Sequence, residues 1–207
     1  MKSKTLRIDK NKLILVEGVD ALYFSIWALN AYGVSDTQVM NFGGVRDLSR
    51  FMKTLKNMDS YDSIESIVIA RDAETDHRAA FSSVVDILRN NELPAPESPF
   101  VYHGASPRVA VMLFPGFDDS GELENGCLED LCLKTLRDDS LNVARAYIDE
   151  IDRRHEKLTH RHKSLLHAYL AAKNKFVSSK LGEAARYGAW DWQSSALTAF
   201  RNIVTNA

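Results

Sequence analysis

Three acidic side chains follow two apolar segments of this sequence, and their positions point to metal chemistry. The apolar run at residues 12–16 ends on Glu17, and the run at residues 66–70 leads into Asp72 and Glu74. If both runs are close strands of a parallel sheet, their carboxyl ends meet at the edge where ligands bind in open α/β sheets. Crowded carboxylates repel one another, and Mg²⁺ binds a few carboxylates together with water and phosphate oxygens. The sequence therefore predicts a Mg²⁺ site at this edge.

Acidic residues at strand ends also have an ordinary structural use. Asp76, in the segment ETDHRAAF, is suited to cap the helix that follows it. For any one of these acids taken alone, the structural role is the better interpretation. The combination of three carboxylates at one predicted edge favours the metal site.

The elements that would position these acids follow an α/β pattern. Strands are predicted at residues 12–16, 37–42 and 66–70, and each precedes a segment with helical spacing of apolar residues. Strand-then-helix units predict a mostly parallel sheet flanked by helices, because parallel neighbours need crossover connections. A proline-rich loop at residues 92–108 and a fourth strand at 108–115 complete this α/β domain, which we place at residues 1–137.

The rest of the chain, residues 138–207, is predicted to be a helical C-terminal extension packed on that domain. Its apolar residues recur with helical spacing, and it ends in an aromatic segment with Trp190, Trp192 and Phe200. We expect these aromatic side chains to dock on the α/β domain. The first part carries a net charge of −5 and the extension +3, which is compatible with metal binding in one and phosphate binding in the other.

Composition excludes several classes of protein. The 45% hydrophobic and 26% charged residues are typical of a globular chain and exclude intrinsic disorder and fibrous structure. No window approaches the length of an apolar membrane span, and the first residues have no signal-peptide core. We therefore expect a cytoplasmic protein that does not cross a membrane.

Two further segments are candidates for binding phosphate. Gly43 and Gly44 follow the second strand, where backbone N–H groups can approach a phosphate, although a tight turn before a helix explains them equally well. A basic segment at residues 153–163 can contact a nucleic-acid backbone or form a solvated helical face. Its cations are Arg153, Arg154, Lys157, Arg161 and Lys163.

The cysteines and histidines give no predicted metal site. The two cysteines, Cys127 and Cys132, are too few for a disulfide framework and are expected to be reduced and without function. His160 and His162 are two residues apart and diverge on a helix, so they do not form a ligand pair.

Three segments of the chain resemble a known catalytic domain. LILVEGVDALYF, NFGGVRDLSRF and SIVIARDAETD are similar to the signature blocks of the Toprim domain, which topoisomerases, bacterial primases, recombination proteins and OLD-family nucleases share. The resemblance implies a Toprim-like, Rossmann-like fold in which a Glu ends the first strand and an Asp-x-Asp ends the third. Here these are Glu17 and the pair Asp72 and Glu74, with Glu in place of the second Asp.

The later segments GCLEDLCL and LGEAARYGAWDW are similar to a small stand-alone Toprim-like family of bacterial and archaeal proteins. The resemblance implies that Asp72 and Glu74 hold Mg²⁺ or Mn²⁺ on a scissile phosphate. Glu17 is then either a general acid/base or a further metal ligand. By analogy with OLD-type nucleases, Glu129 with Asp130 beside it is expected to support a second metal. Asp20, one turn after Glu17, is also expected to reach the site.

The resemblance implies a metal-dependent nuclease acting on DNA or RNA, and two other hypotheses stay open. OLD-type systems pair a Toprim domain with an ATPase, and this chain has no Walker A motif. It is therefore alternatively a non-catalytic or partner-dependent subunit of an ATPase-containing complex. The third interpretation is that Glu74 marks a site that has lost catalysis.

Overall fold

Four parallel strands form the centre of the structure, a computed structural model that describes residues 6–154, 157–173 and 178–207. The strands, in chain order, are β1 (Lys12–Glu17), β2 (Thr37–Gly43), β3 (Ser66–Asp72) and β4 (Arg108–Phe114). They lie in the order β2-β1-β3-β4, and every neighbouring pair is parallel. The predicted α/β fold with a parallel sheet is confirmed, and β1 lies directly beside β3.

Helices flank this sheet, and further helices follow its last strand in the chain. Each of the first three strands is followed by a helix, as the apolar spacing predicts, and the predicted proline-rich loop precedes β4. Among the described residues, no helix combines the length and the apolar character needed to cross a membrane. The helices are α1 (Gly18–Ala31), α2 (Val45–Lys56), α3 (His77–Asn90), α4 (Leu128–Lys134), α5 (Asp139–Arg154), α6 (Arg161–Ala171), α7 (Leu181–Arg186) and α8 (Thr198–Thr205).

The sheet is buried on both faces because its side chains alternate between two apolar cores. In β1, Ile14 and Val16 point to one core while Leu13 and Leu15 point to the other. Helices α2 and α3 cover the second core, and α1 together with the helices after β4 covers the first. Continuous apolar runs therefore appear in the strands, as expected for a parallel sheet.

The aromatic C-terminal segment docks on α1, as predicted. The ring of Phe24 lies 5.2 Å from that of Trp192 and 5.5 Å from that of Phe200, measured between centroids. The hydroxyl of Tyr32 donates a 3.1 Å hydrogen bond to the carbonyl of Trp192. Residues on both sides of position 137 share this core, and the division into two domains there stays a prediction.

Candidate functional site

Glu17 is the last residue of β1 and is held by two neighbours. Its Oε1 accepts a 3.0 Å hydrogen bond from the backbone N–H of Val45, the first residue of α2. Its Oε2 lies 3.8 Å from Nε of Arg71, which comes from the adjacent strand β3. These contacts place the carboxylate at the C-terminal edge of the sheet, where the sequence predicts it.

Asp72 ends β3 and lies at the centre of the predicted acidic group. Its Oδ1 accepts a 2.9 Å hydrogen bond from the backbone N–H of Leu128. Burial raises the pKa of Asp72 to about 7; the Leu128 hydrogen bond opposes this rise, and the charges of Glu129, Glu74 and Glu17 add to it. Because β1 lies beside β3 and Leu128 bonds to Asp72, the strand-end acids Glu17, Asp72 and Glu74 and the adjacent Glu129 lie at the same edge of the sheet.

Glu74 is exposed and lies two residues beyond the strand in a left-handed backbone conformation, with a φ of +56°. Its backbone exchanges two hydrogen bonds with Gly126, of 2.8 and 2.7 Å. This bridge attaches the loop that precedes α4 to the end of β3. A non-glycine residue rarely adopts such a φ, so the surrounding structure must hold it there.

Glu129 joins the group from the first turn of α4, and a lysine accompanies it. Nζ of Lys163, on α6, lies 3.5 Å from Oε1 of Glu129. Burial raises the pKa of Glu129, but the Cys127 thiol, a backbone hydrogen bond, Lys163 and His162 outweigh it and the net shift is downward. The pKa of Lys163 is raised, chiefly by Glu129 and to a smaller extent by Asp72. Lys163 therefore brings a positive charge to the acidic edge.

The other two predicted metal ligands are engaged elsewhere. Oδ1 of Asp20 accepts a 2.9 Å hydrogen bond from the backbone N–H of Gly182, at the contact between α1 and α7. Oδ2 of Asp130 accepts hydrogen bonds from the backbone N–H and the thiol of Cys127, at 3.0 and 3.1 Å. These contacts stabilise the packing of α7 and the start of α4.

The backbone N–H groups of the glycine turn after β2 already donate hydrogen bonds to side chains of the protein. The N–H of Gly43 donates to Oδ1 of Asn41 at 2.8 Å, and the N–H of Gly44 donates to Oδ2 of Asp47 at 3.3 Å. Gly43 has a φ of +90°, which only glycine adopts without strain. The turn thus satisfies its own donors, which corresponds to the structural alternative considered for this dipeptide.

The predicted basic segment divides between two environments. Arg153 and Arg154 both form ion pairs with Glu150, and Lys157 is exposed. Arg161 pairs with two aspartates, Asp149 and Asp152. Of these cations, Lys163 is the one that joins the acidic group. The segment also contains residues 155 and 156, which lie outside the described residues.

Arg71 is a site residue that the sequence argument did not identify. It is 9% exposed. Its Nη1 donates a 2.9 Å hydrogen bond to Oγ of Ser83, and its Nε donates a 3.2 Å hydrogen bond to the backbone carbonyl of Asp72. The sequence feature that could have identified Arg71 is a cation in an otherwise apolar strand, directly before the predicted acids Asp72 and Glu74. Its contact with Glu17 partly compensates the negative charge of the edge.

A second group of possible metal ligands was also missed. Within the described ranges, Cys127, Asp130 and His162 are the one group of three such residues whose ligand atoms all lie within 4.8 Å of one another. The carboxylates around Asp72 are therefore near one another but not gathered to that distance. Cys127 lies just before α4 and His162 lies in α6, so spacing along the chain does not reveal their contact.

Comparison with known proteins identifies a family but no function. Searches of curated proteins and of solved structures found no significant match. A family model described as "Protein of unknown function (DUF3226)" matches residues 11–207, which is nearly the whole chain. The chain therefore belongs to the DUF3226 family.

Proposed function

We propose that this protein is a divalent-metal-dependent phosphodiesterase that cleaves nucleic acid at the C-terminal edge of its sheet, with a Toprim-like arrangement of acids. The observation that carries the proposal is the partly buried carboxylate of Asp72, which ends β3 next to β1 with Glu17, precedes Glu74 and bonds to the residue before Glu129. A folded chain keeps such repelling charges together at a free-energy cost unless a cation or a ligand compensates them. Ligands bind at this edge in open parallel sheets.

The donor set fits Mg²⁺ or Mn²⁺. The acids at this edge offer hard carboxylate oxygens, and Glu74 is exposed, so water and a phosphate can share the cation. We assign Asp72, Glu74 and Glu129 as the ligands, since Asp20 accepts a hydrogen bond from Gly182 and Asp130 is grouped with Cys127 and His162. A bound cation would supply charge neutralisation at the scissile phosphate and would activate a water molecule.

Glu17 takes the general acid/base role in this proposal. Val45 donates to one of its oxygens and Arg71 approaches the other, so the carboxylate is oriented on the strand next to Asp72. These donors leave it fewer free positions for a metal than Asp72 has. A carboxylate held in this way can accept a proton from an attacking water when substrate is bound.

Lys163 is the residue that we assign to the substrate phosphate. Its side chain is 49% exposed and lies beside Glu129. A lysine at this position supplies a positive charge next to the proposed metal site, and phosphate backbones of DNA and RNA are bound mainly through such charges. Arg153, Arg154 and Arg161 already pair with acids of the chain, so we give them no role in catalysis.

A cleavage assay tests this function. Supercoiled plasmid, single-stranded DNA and total RNA are incubated with the full-length protein and Mg²⁺ or Mn²⁺, with a chelator as the blank. Metal-dependent cleavage of at least one substrate is expected, and Asp72→Asn is expected to abolish it. Cleavage that persists in the chelator or in the variant contradicts the proposal. Mg²⁺ binding without cleavage of any substrate would favour the partner-dependent subunit.

A further inference from the structure

Three side chains that bind transition metals meet beside the acidic edge. Cys127 immediately precedes α4, Asp130 lies in the first turn of α4, and His162 lies in the first turn of α6. One potential ligand atom from each lies within 4.8 Å of the other two. The thiol of Cys127 donates a 3.1 Å hydrogen bond to Oδ2 of Asp130.

The ligand chemistry of this group differs from that of the acidic edge. A thiolate, an imidazole and a carboxylate suit Zn²⁺ and metals of similar softness, whereas Mg²⁺ prefers oxygen ligands alone. Ligand atoms around a tetrahedral Zn²⁺ are separated by roughly 3.5 Å. The observed spacing is close enough that small side-chain rotations would bring the three atoms to that separation.

Helix capping explains part of the group but not all of it. The backbone N–H of Cys127 also donates to Oδ2 of Asp130, at 3.0 Å, so that this pair closes the start of α4. His162 belongs to another helix and takes no part in the cap. Its position against both residues is the observation that favours a metal over a capping role.

The group has a route to solvent on one side. Cys127 is 5% exposed, while Asp130 and His162 are partly buried and line a cavity of about 320 Å³. Arg145 and Arg161 also line that cavity. Three protein ligands leave a fourth position of a tetrahedral ion open, and this cavity can supply water or an anion to it.

We propose that Cys127, Asp130 and His162 bind one Zn²⁺ ion, or an ion of similar ligand preference, at a site separate from the Asp72 group. The metal–sulfur bond replaces the S–H bond of Cys127, so each ion bound releases one proton from this thiol to the solvent. The proposal is independent of the proposed nuclease activity, because it concerns a different donor set.

Co²⁺ is the spectroscopic probe for this site. The full-length protein, freed of metal with a chelator, is titrated with Co²⁺ and observed in the near ultraviolet, where a thiolate bound to cobalt absorbs by charge transfer. One equivalent of Co²⁺ is expected to saturate the band. One equivalent of Zn²⁺ should remove it, while an excess of Mg²⁺ should leave it.

Matched variants identify the ligands. Cys127→Ala and His162→Gln are expected to remove the band or to weaken Co²⁺ binding by more than about tenfold, whereas Cys132→Ala and His160→Gln should keep it. Circular dichroism checks the fold of each variant. If Cys127→Ala does not fold, the comparison of His162→Gln with His160→Gln decides.

Two results would overturn the proposal: wild-type protein without a thiolate band, or a band that survives in folded His162→Gln or Cys127→Ala. Asp72→Asn separates this proposal from the nuclease function. It should keep the cobalt band even where it abolishes cleavage. Loss of cleavage alone therefore bears on the acidic edge and not on this site.

Discussion

The backbone N–H of Leu128 donates a 2.9 Å hydrogen bond to Oδ1 of Asp72. This contact joins the first residue of α4 to the last residue of β3, across 56 positions of sequence. It places Glu129, the next residue of α4, beside the strand-end acids. The acidic group thus depends on how α4 docks at the edge of the sheet.

The raised pKa of Asp72 predicts a pH-dependent stability. Its pKa is about 7 in the folded chain against an ordinary 3.8, so the folded state holds the proton more tightly than the unfolded state. Proton binding by Asp72 therefore stabilises the folded state. This contribution is complete below about pH 4 and is lost as pH rises through about 7. In metal-free buffer above about pH 8, Asp72→Asn should raise the free energy of unfolding by on the order of 2 kcal/mol.

Denaturant unfolding of both proteins at several pH values measures this effect. The difference between the variant and the wild type should vanish below about pH 4, where both side chains are neutral. A variant that is less stable than the wild type above about pH 8 would contradict the prediction.

Lys163 is expected to act on substrate binding. Because it is the cation beside Glu129, Lys163→Gln should raise KM for nucleic acid about tenfold and reduce the salt dependence of binding by about one counterion. The same variant should bind Mg²⁺ more tightly, since a competing positive charge is removed. Lys53→Gln, at an exposed position of α2, is the control. Equal effects of the two variants would argue against the assignment.

Arg71 is expected to stabilise the fold through Glu17. Its side chain is 10% exposed and that of Glu17 is 29% exposed, with 3.8 Å between Nε and Oε2. Arg71→Met leaves a shielded carboxylate without its cation and should lower the free energy of unfolding by about 2 kcal/mol. Arg78→Met, at an exposed position of α3, should change it little. Thermal unfolding of both variants compares them, and an unchanged Tm for Arg71→Met would be the contrary result.

Gly182 is expected to be required for the docking of α7 on α1. A Cβ at this position would lie 2.7 Å from Cβ of Tyr23 and 3.0 Å from the carbonyl oxygen of Asp20. Gly182→Ala should therefore lower the free energy of unfolding by about 1–3 kcal/mol. Gly44→Ala, where the nearest atom would be Oδ2 of Asp47 at 4.0 Å, is the milder comparison. Equal stability of Gly182→Ala and the wild type would show that α7 shifts without cost.

Features that depend on residues close together in the sequence could be predicted, whereas contacts between distant segments could not. The strands and their helices follow from apolar spacing over short windows, and the neighbouring positions of Glu17 and Asp72 follow from the rule for parallel sheets. The resemblance placed Glu129 near them. Asp20, one turn after Glu17, is also expected to reach them, but in the structure it accepts a hydrogen bond from the backbone N–H of Gly182. That contact depends on the position of α7, which no local pattern specifies.

The remaining site contacts come from tertiary packing. The approach of α6 to α4 brings Lys163 to Glu129 and His162 to Cys127. Apolar spacing predicts that both segments are helical but not which turns face one another. Arg71 is similar, because its role depends on the position of Glu17 on the next strand.

The most direct test of the central claim is the rate of Mg²⁺-dependent cleavage in two single variants whose substituted aspartates lie four residues apart in the sequence. Asp72→Asn removes the partly buried carboxylate at the end of β3, whereas Asp76→Asn alters the exposed residue that caps α3. We predict that Asp72→Asn lowers the rate by at least about 100-fold with an unchanged circular dichroism spectrum, and that Asp76→Asn retains the wild-type rate. Equal rates in the wild type and folded Asp72→Asn would contradict a metal-dependent phosphodiesterase at this edge.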